Sequence, residues 1–201
     1  RYIMTERKLV TIRIVDEIRP IEGADKIVHV RFGGWWVVSG KDNFKVGDLA
    51  LFFEVDTFIP TGQERFKFLE SRAIDWNGKK GTRIKSIKLR GALSQGLALP
   101  LFDFPELSGF VFDINKEEDY SHLVGAVKWE PSEGKQNPST IKGNWHYFLP
   151  KTDQERIQNI WEKIRYSGET WQVTEKLDGS SMTLFKKDGD FNVCSRNFIL
   201  T

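Results

Sequence analysis

Lys26-Ile27-Val28-His29-Val30-Arg31-Phe32-Gly33-Gly34-Trp35-Trp36-Val37-Val38-Ser39 is the stretch that decides the fold. Two runs of β-branched and aromatic residues meet across Gly33-Gly34, the two-residue signature of a hairpin whose turn needs positive φ. Upstream, residues 9–18 alternate Val10, Ile12 and Ile14 with Thr11, Arg13 and Val15. That period of two predicts a strand with one buried and one mostly wet face. Downstream, a turn cluster over residues 40–48 leads into a Leu- and Phe-rich run at 49–55. Residues 82–89 and 96–101 supply closing strands, and no long helical pattern interrupts residues 7–101.

Five or six short strands within about 100 residues point to a small closed barrel, of which the oligonucleotide/oligosaccharide-binding (OB) barrel is a common nucleic-acid-binding form. Another small barrel or a sandwich fits the same pattern. The whole chain has 201 residues, 39% of them hydrophobic, 29% charged and 13% aromatic, a globular composition that allows one or two cores. Apolar runs are strand-length, too short to span a membrane as helices. Residues 1–15 alternate and build no apolar signal segment. Cys194 is the one cysteine, so an intrachain disulfide and a Cys-based zinc site are excluded, and His29, His122 and His146 have no ligand spacing. A cytoplasmic location is the expectation.

Beyond the barrel, residues 117–144 are rich in Glu, Gly, Ser, Pro, Asn and Lys and read as a linker or surface loop. Residues 151–166 form the one clear helix, with Asp153 near its N-cap and Ile157, Ile160, Trp161 and Ile164 at helical spacing. Ser167-Gly168 stops it. A β-meander follows: strands at 171–177, 181–186 and 191–195 joined by Asp178-Gly179 and Asp188-Gly189 turns. The helix provides partial cover for this meander. The domains expected are therefore 1–116 for the barrel, 117–150 for the linker and 151–201 for the start of a second domain.

Net charge is only +2, too even to name a partner, but residues 79–90 (KKGTRIKSIKLR) are half basic and contain no acid. Arg83, Lys85, Lys88 and Arg90 are the candidates for tracking phosphates; a solvated, lysine-protected strand edge is the competing reading. Trp35, Trp36, Phe52 and Phe53 could stack bases, with core packing favoured for most of them. In the meander, Lys176 stands at a strand end before Asp178 and Gly179. A lysine there can act as a nucleophile if its pKa is lowered, and Gly179 admits close approach of a phosphate or ribose. Arg196, 20 residues on, could come alongside and grip a phosphate bidentately. Chance alone would give a Lys-x-Asp-Gly tetrad in roughly one chain in twenty of this length, so context has to carry it.

Glu175-Lys176-Leu177-Asp178-Gly179-Ser180-Ser181 resembles motif I of the covalent nucleotidyltransferases, and Ser195-Arg196-Asn197 resembles their next motif. Upstream, Glu22-Gly23-Ala24-Asp25-Lys26-Ile27, Gly34-Trp35-Trp36-Val37-Val38, Lys45-Val46-Gly47-Asp48 and Leu93-Ser94-Gln95-Gly96-Leu97 are similar to the nick-sealing ATP-dependent RNA ligases that carry an N-terminal OB domain. Ser181 stands where DNA ligases and capping enzymes usually have Arg, and the barrel precedes motif I, the reverse of their usual order.

The resemblance implies a mainly β (α+β) chain, an OB barrel followed by the first part of an ATP-grasp-like nucleotidyltransferase domain. It implies ATP and a divalent metal (Mg2+ or Mn2+) as cofactors and Lys176 as the residue that carries AMP. Glu175, Asp178, Gly179, Arg196 and Asn197 would complete the ATP site, with Asp178 holding metal through water. The implied partner is a nicked or broken RNA-containing duplex, bound by a monomer with no membrane contact. The family's later motifs do not occur, so the front portion of a longer ligase, inactive alone, is expected. A DNA ligase or a non-catalytic OB module of the tRNA-binding kind are the alternatives; Lys176 discriminates against the latter.

Overall fold

The computed structural model describes residues 7–113, 118–130, 140–150, 155–177, 179 and 181–201. The chain divides into two compact units: Arg1–Glu130 with Arg156–Tyr166, and Pro131–Glu155 with Ser167–Thr201. Both are built mainly of strands. Among the described residues no helix is long and apolar enough to cross a membrane.

The first unit opens with β1 (Val10–Ile14) and β2 (Glu17–Ile21), followed by β3 (Ala24–Phe32), β4 (Trp35–Gly40) and β5 (Leu49–Phe53). β3 and β4 pair with Phe32 opposite Trp35, so Gly33-Gly34 is the two-residue hairpin expected, with Gly33 at φ +59°. The single strand expected over 9–18 is instead broken at Val15 and Asp16. Val15 donates its N–H to the Asp48 carbonyl, Asp16 donates its own to Arg31, and the Asp16 carboxylate accepts from the Gly33 N–H. The bend lets one chain segment pair β1 with β5 and β2 with β3. Its second face is not wet: Thr11 is fully buried and Val15 nearly so.

Strand β5 lies between β1 and β11 (Leu97–Pro100). Its alternate residues enter two cores. Ala50 and Phe52 pack with Val30, Phe32, Trp35, Val37 and Phe44. Leu51 and Phe53 pack with Val10, Ile12, Ile59, Phe66, Leu99 and Phe104. A second sheet contains β6 (Thr57–Pro60), β7 (Ile74–Trp76) and β8 (Lys79–Arg83), and a 3-10 helix, Glu64–Arg72, buries Phe66 and Leu69 against it. The strand expected over 82–89 divides between β8 and β9 (Ser86–Leu89), which forms a hairpin with β10 (Ala92–Gln95).

Polar composition hides structure in the stretch expected to be a linker. A short helix α1 (Ser121–Val124) buries Val124, and β12 (Val127–Lys128) adds to the edge of β6. Farther on, β13 (Ile141–Asn144) joins the second unit's sheet, in the order β13, β16 (Phe198–Leu200), β15 (Asp190–Cys194), β14 (Thr183–Lys187). Asp153 lies outside the described residues.

The sequence assigns helix α2 (Ile157–Arg165) to the C-terminal meander, but it packs within the first unit. Asn159 Oδ1 accepts from the Trp35 indole N–H at 2.9 Å and from Arg13 at 3.3 Å. Gly34 makes this docking possible. A Cβ there would lie 2.6 Å from the Gln158 carbonyl oxygen and 2.9 Å from Trp161 Cβ, and backbone cannot move aside cheaply. Gly34→Ala should therefore destabilise this unit by about 1–3 kcal/mol, measured by urea unfolding, while Gly62→Ala, with open space around it, should leave it within about 0.5 kcal/mol.

Candidate functional site

In the second unit the meander is partly as expected. β14 and β15 pair across the Asp188-Gly189 turn, and β15 pairs with β16. Residues 171–177 form no strand. Nothing among the described residues covers the apolar side chains that the alternation presents: Val173 is 93% exposed and Leu177 80%. Without burial or a ladder partner, ordering this backbone is not compensated. Lys176, Glu175 and Gly179 are exposed in this stretch, and Asp178 lies outside the described residues.

Arg196 and Asn197 sit in the turn between β15 and β16, where Trp145 donates its N–H to the Asn197 carbonyl. Buried Cys194 and Phe198 hold the two ends of that turn. Burial pushes the Cys194 thiol above its ordinary pKa, so it is a packing residue and a weak nucleophile. Lys176 and Arg196 thus fall in the same unit, one before β14 and one after β15.

The basic stretch separates into two kinds of residue. Arg83 is a structural cation. Its guanidinium donates to Asp56 Oδ1 from Nε at 3.0 Å and Nη2 at 2.6 Å, and lies 3.6 Å from the centroid of the Trp129 ring. Asp56 stands at φ +67°, donates its N–H to Ile84, accepts from the Trp129 N–H, and also pairs with Arg156 just before α2 at 3.3 Å. Lys85 just before β9, Lys88 on β9 and Arg90 at the β9–β10 turn are all exposed.

Of the aromatic candidates, Trp35, Phe52 and Phe53 are fully buried. Only Trp36 faces outward, on the sheet of β2, β3 and β4. There Arg19 Cζ lies 4.6 Å from the Trp36 ring centroid, and the His29 ring sits 4.5 Å away at a 39° tilt. Glu17 pairs with both Arg19 and Arg31, and the hydrogen bond from Arg19, foremost, holds its carboxyl below the ordinary glutamate pKa. Sequence reasoning missed Arg19 and His29 as surface candidates. The period of two that sends Val28, Val30 and Phe32 inward would have placed His29 outward.

Comparison with known proteins agrees with this architecture. A family model described as an OB-fold domain matches residues 9–101. RNA ligase of Naegleria gruberi matches along nearly the whole chain. A mutant form with ATP and Mn is 42% identical at a TM-score of 0.79, covering 96% of this chain. A form with PPi is 43% identical at a TM-score of 0.76, covering 98%. A mutant form with AMP and Mn is 44% identical at a TM-score of 0.78, covering 97%. The chain is a relative of RNA ligase. It spans 57% of the length of each of these three chains. No curated protein matches. The OB-fold domain and the RNA ligase relationship read from the motifs are both borne out.

Arg83 and Lys88 should therefore respond differently to truncation. Arg83→Ala removes both donors to Asp56 Oδ1 and strips the Trp129 face, so it should cost about 1–3 kcal/mol in chemical unfolding. Lys88→Ala should stay within about 0.5 kcal/mol of the parent.

Proposed function

We propose that the chain is the front portion of an ATP-dependent RNA ligase that joins 5′-phosphate and 3′-OH ends at nicks through a lysyl-AMP intermediate on Lys176. The observation that carries this reading is identity above 40% to an RNA ligase across both units, not across the barrel alone. A non-catalytic OB module would have no need of the second unit or of Glu175-Lys176-Leu177-Asp178-Gly179.

The Lys176 amine attacks the α-phosphorus of ATP. A P–N bond forms, the bond to the bridging oxygen breaks, pyrophosphate leaves and the amine gives up its proton. AMP then passes to the 5′-phosphate, and the 3′-OH finally displaces it. A phosphoramide suits this relay because the P–N bond is readily cleaved in the second step. The work left to the protein is in-line positioning and neutralisation of charge. Arg196 is the candidate clamp for the phosphates, Gly179 leaves room for their approach, and Glu175 would lie beside the adenine, with Asn197 completing the site.

Among the described residues, no group of three or more His, Cys, Asp or Glu side chains comes together. Asp178, placed by its motif, is the residue that would hold a divalent cation through water. Bound Mg2+ or Mn2+ would supply charge neutralisation on the phosphates.

The whole protein, incubated with α-labelled ATP and a divalent metal, should acquire a covalent adduct that mass spectrometry maps to Lys176. Lys176→Met should abolish labelling. Lys176→Arg should abolish it too, because a guanidinium stays protonated. An adduct on another lysine would overturn the assignment.

A further inference from the structure

The outward face of β2, β3 and β4 carries a cluster that the ligation chemistry above does not use. Trp36 is half-buried, Arg19 lies over its ring, and His29 packs beside it. His29 is held in place as well. Its Nε2 donates to the Leu93 carbonyl at 2.8 Å, which fixes the proton on Nε2 because a carbonyl only accepts. Leu93 is on β10, directly opposite Lys88 on β9. The Ser94 hydroxyl accepts from the Val38 N–H at 3.0 Å, so β10 is tied to β4 as well as to β3.

These ties join two surfaces that lie far apart in sequence. The cluster on β2–β4 runs through His29 and Leu93 onto the hairpin that exposes Lys85, Lys88 and Arg90. The charge on the sheet is also settled. Glu17 is the acid beside Arg19, and it faces two guanidiniums, Arg19 and Arg31, leaving an excess of one positive charge. Arg19 keeps 60% of its side chain exposed, whereas Arg31 keeps 22%. Arg19 is therefore the cation available to an incoming group, and Trp36 and His29 are the flat surfaces beside it.

We infer that Arg19, His29 and Trp36 form a contact platform for a strand of an RNA-containing duplex, continuous with the basic β9–β10 hairpin. The inference rests on the RNA-ligase reading for its partner. Its physical basis is charge complementarity to phosphate together with a pre-set aromatic surface. An exposed guanidinium already held over an indole loses little freedom on meeting a phosphate, and aromatic faces stack bases without regard to sequence. Sequence tolerance is what a nick-sealing enzyme requires.

The test measures binding of a nicked RNA-containing duplex by the whole protein, without ATP, by fluorescence anisotropy over a range of salt concentrations. Arg19→Ala should weaken binding and lower the log–log salt slope by about one. Trp36→Ala should weaken binding about tenfold while leaving the salt slope unchanged. Trp36→Phe, which keeps a ring on the same strand, should bind close to the parent and guards against misfolding as the explanation. Parent-like affinity in Arg19→Ala or Trp36→Ala overturns the platform, and so does Trp36→Phe binding as poorly as Trp36→Ala. The readout does not use adenylylation. A parent protein that bound the duplex yet never labelled with ATP would defeat the ligase proposal and leave the platform standing.

Discussion

Strand β5 is the element on which the first unit depends, because it is paired on both edges and buried on both faces. β1 and β11 pair with its two edges. Its side chains divide between two cores, Phe52 to one and Phe53 to the other, each fully buried. Truncating a phenylalanine in such a place typically costs about 3–5 kcal/mol, so neither core can be altered independently of the strand that separates them. Glu54, next after β5, is 1% exposed and is neutralised by Arg7 at 2.9 Å and by Arg13 at 3.5 Å. A buried carboxylate persists only when paired in this way. Arg13 also reaches Asn159 and lies over Phe52, so charge compensation at the end of β5 and the docking of α2 share one guanidinium.

This arrangement determines which polar groups remain for function. Cations that touch the core's margin are consumed by it: Arg83 and Arg156 both serve Asp56, and Arg83 is further stacked on Trp129. Those that project outward remain exposed: Lys85, Lys88 and Arg90, and Arg19, which keeps 60% of its side chain exposed beside its partner Glu17. A run of basic residues in sequence is thus not one patch in space. Arg83 alone of its basic residues is partly buried, held by Asp56 and Trp129, while Lys79, Lys80, Lys85, Lys88 and Arg90 are exposed.

The second unit obeys different constraints. In its sheet Cys194 and Phe198 are buried, while Leu184 and Phe191 are 63% and 79% exposed on strands that pair with each other. The aromatic packing it has is local: Phe148 and Phe185 meet edge to face at 5.7 Å, with the His146 ring 4.2 Å from Phe148. Of the residues proposed for adenylyl transfer, Glu175 and Lys176 precede β14 on unpaired backbone and Arg196 and Asn197 sit in the turn between β15 and β16, where chain geometry is least determined by burial.

Local pattern encodes the hairpin at Gly33-Gly34 and the two-sided apolar run of β5, because a period of two and a glycine pair are signals that any partner would reinforce. It also carried the kinship to RNA ligase, through Glu175-Lys176-Leu177-Asp178-Gly179 and Ser195-Arg196-Asn197. The bend that splits residues 9–18 into two strands comes from tertiary contacts, since it depends on Asp48 and Arg31 arriving as hydrogen-bond partners. Tertiary structure likewise sent α2 to Gly34 and Trp35 and gave α1 and β12 a place in the first unit. It also withheld a strand from residues 171–177, whose alternation is sound but whose partner and cover are missing among the described residues. Alternation tells a chain which side chains share a face. What lies against that face is contributed by segments dozens of residues away, and no local pattern encodes it.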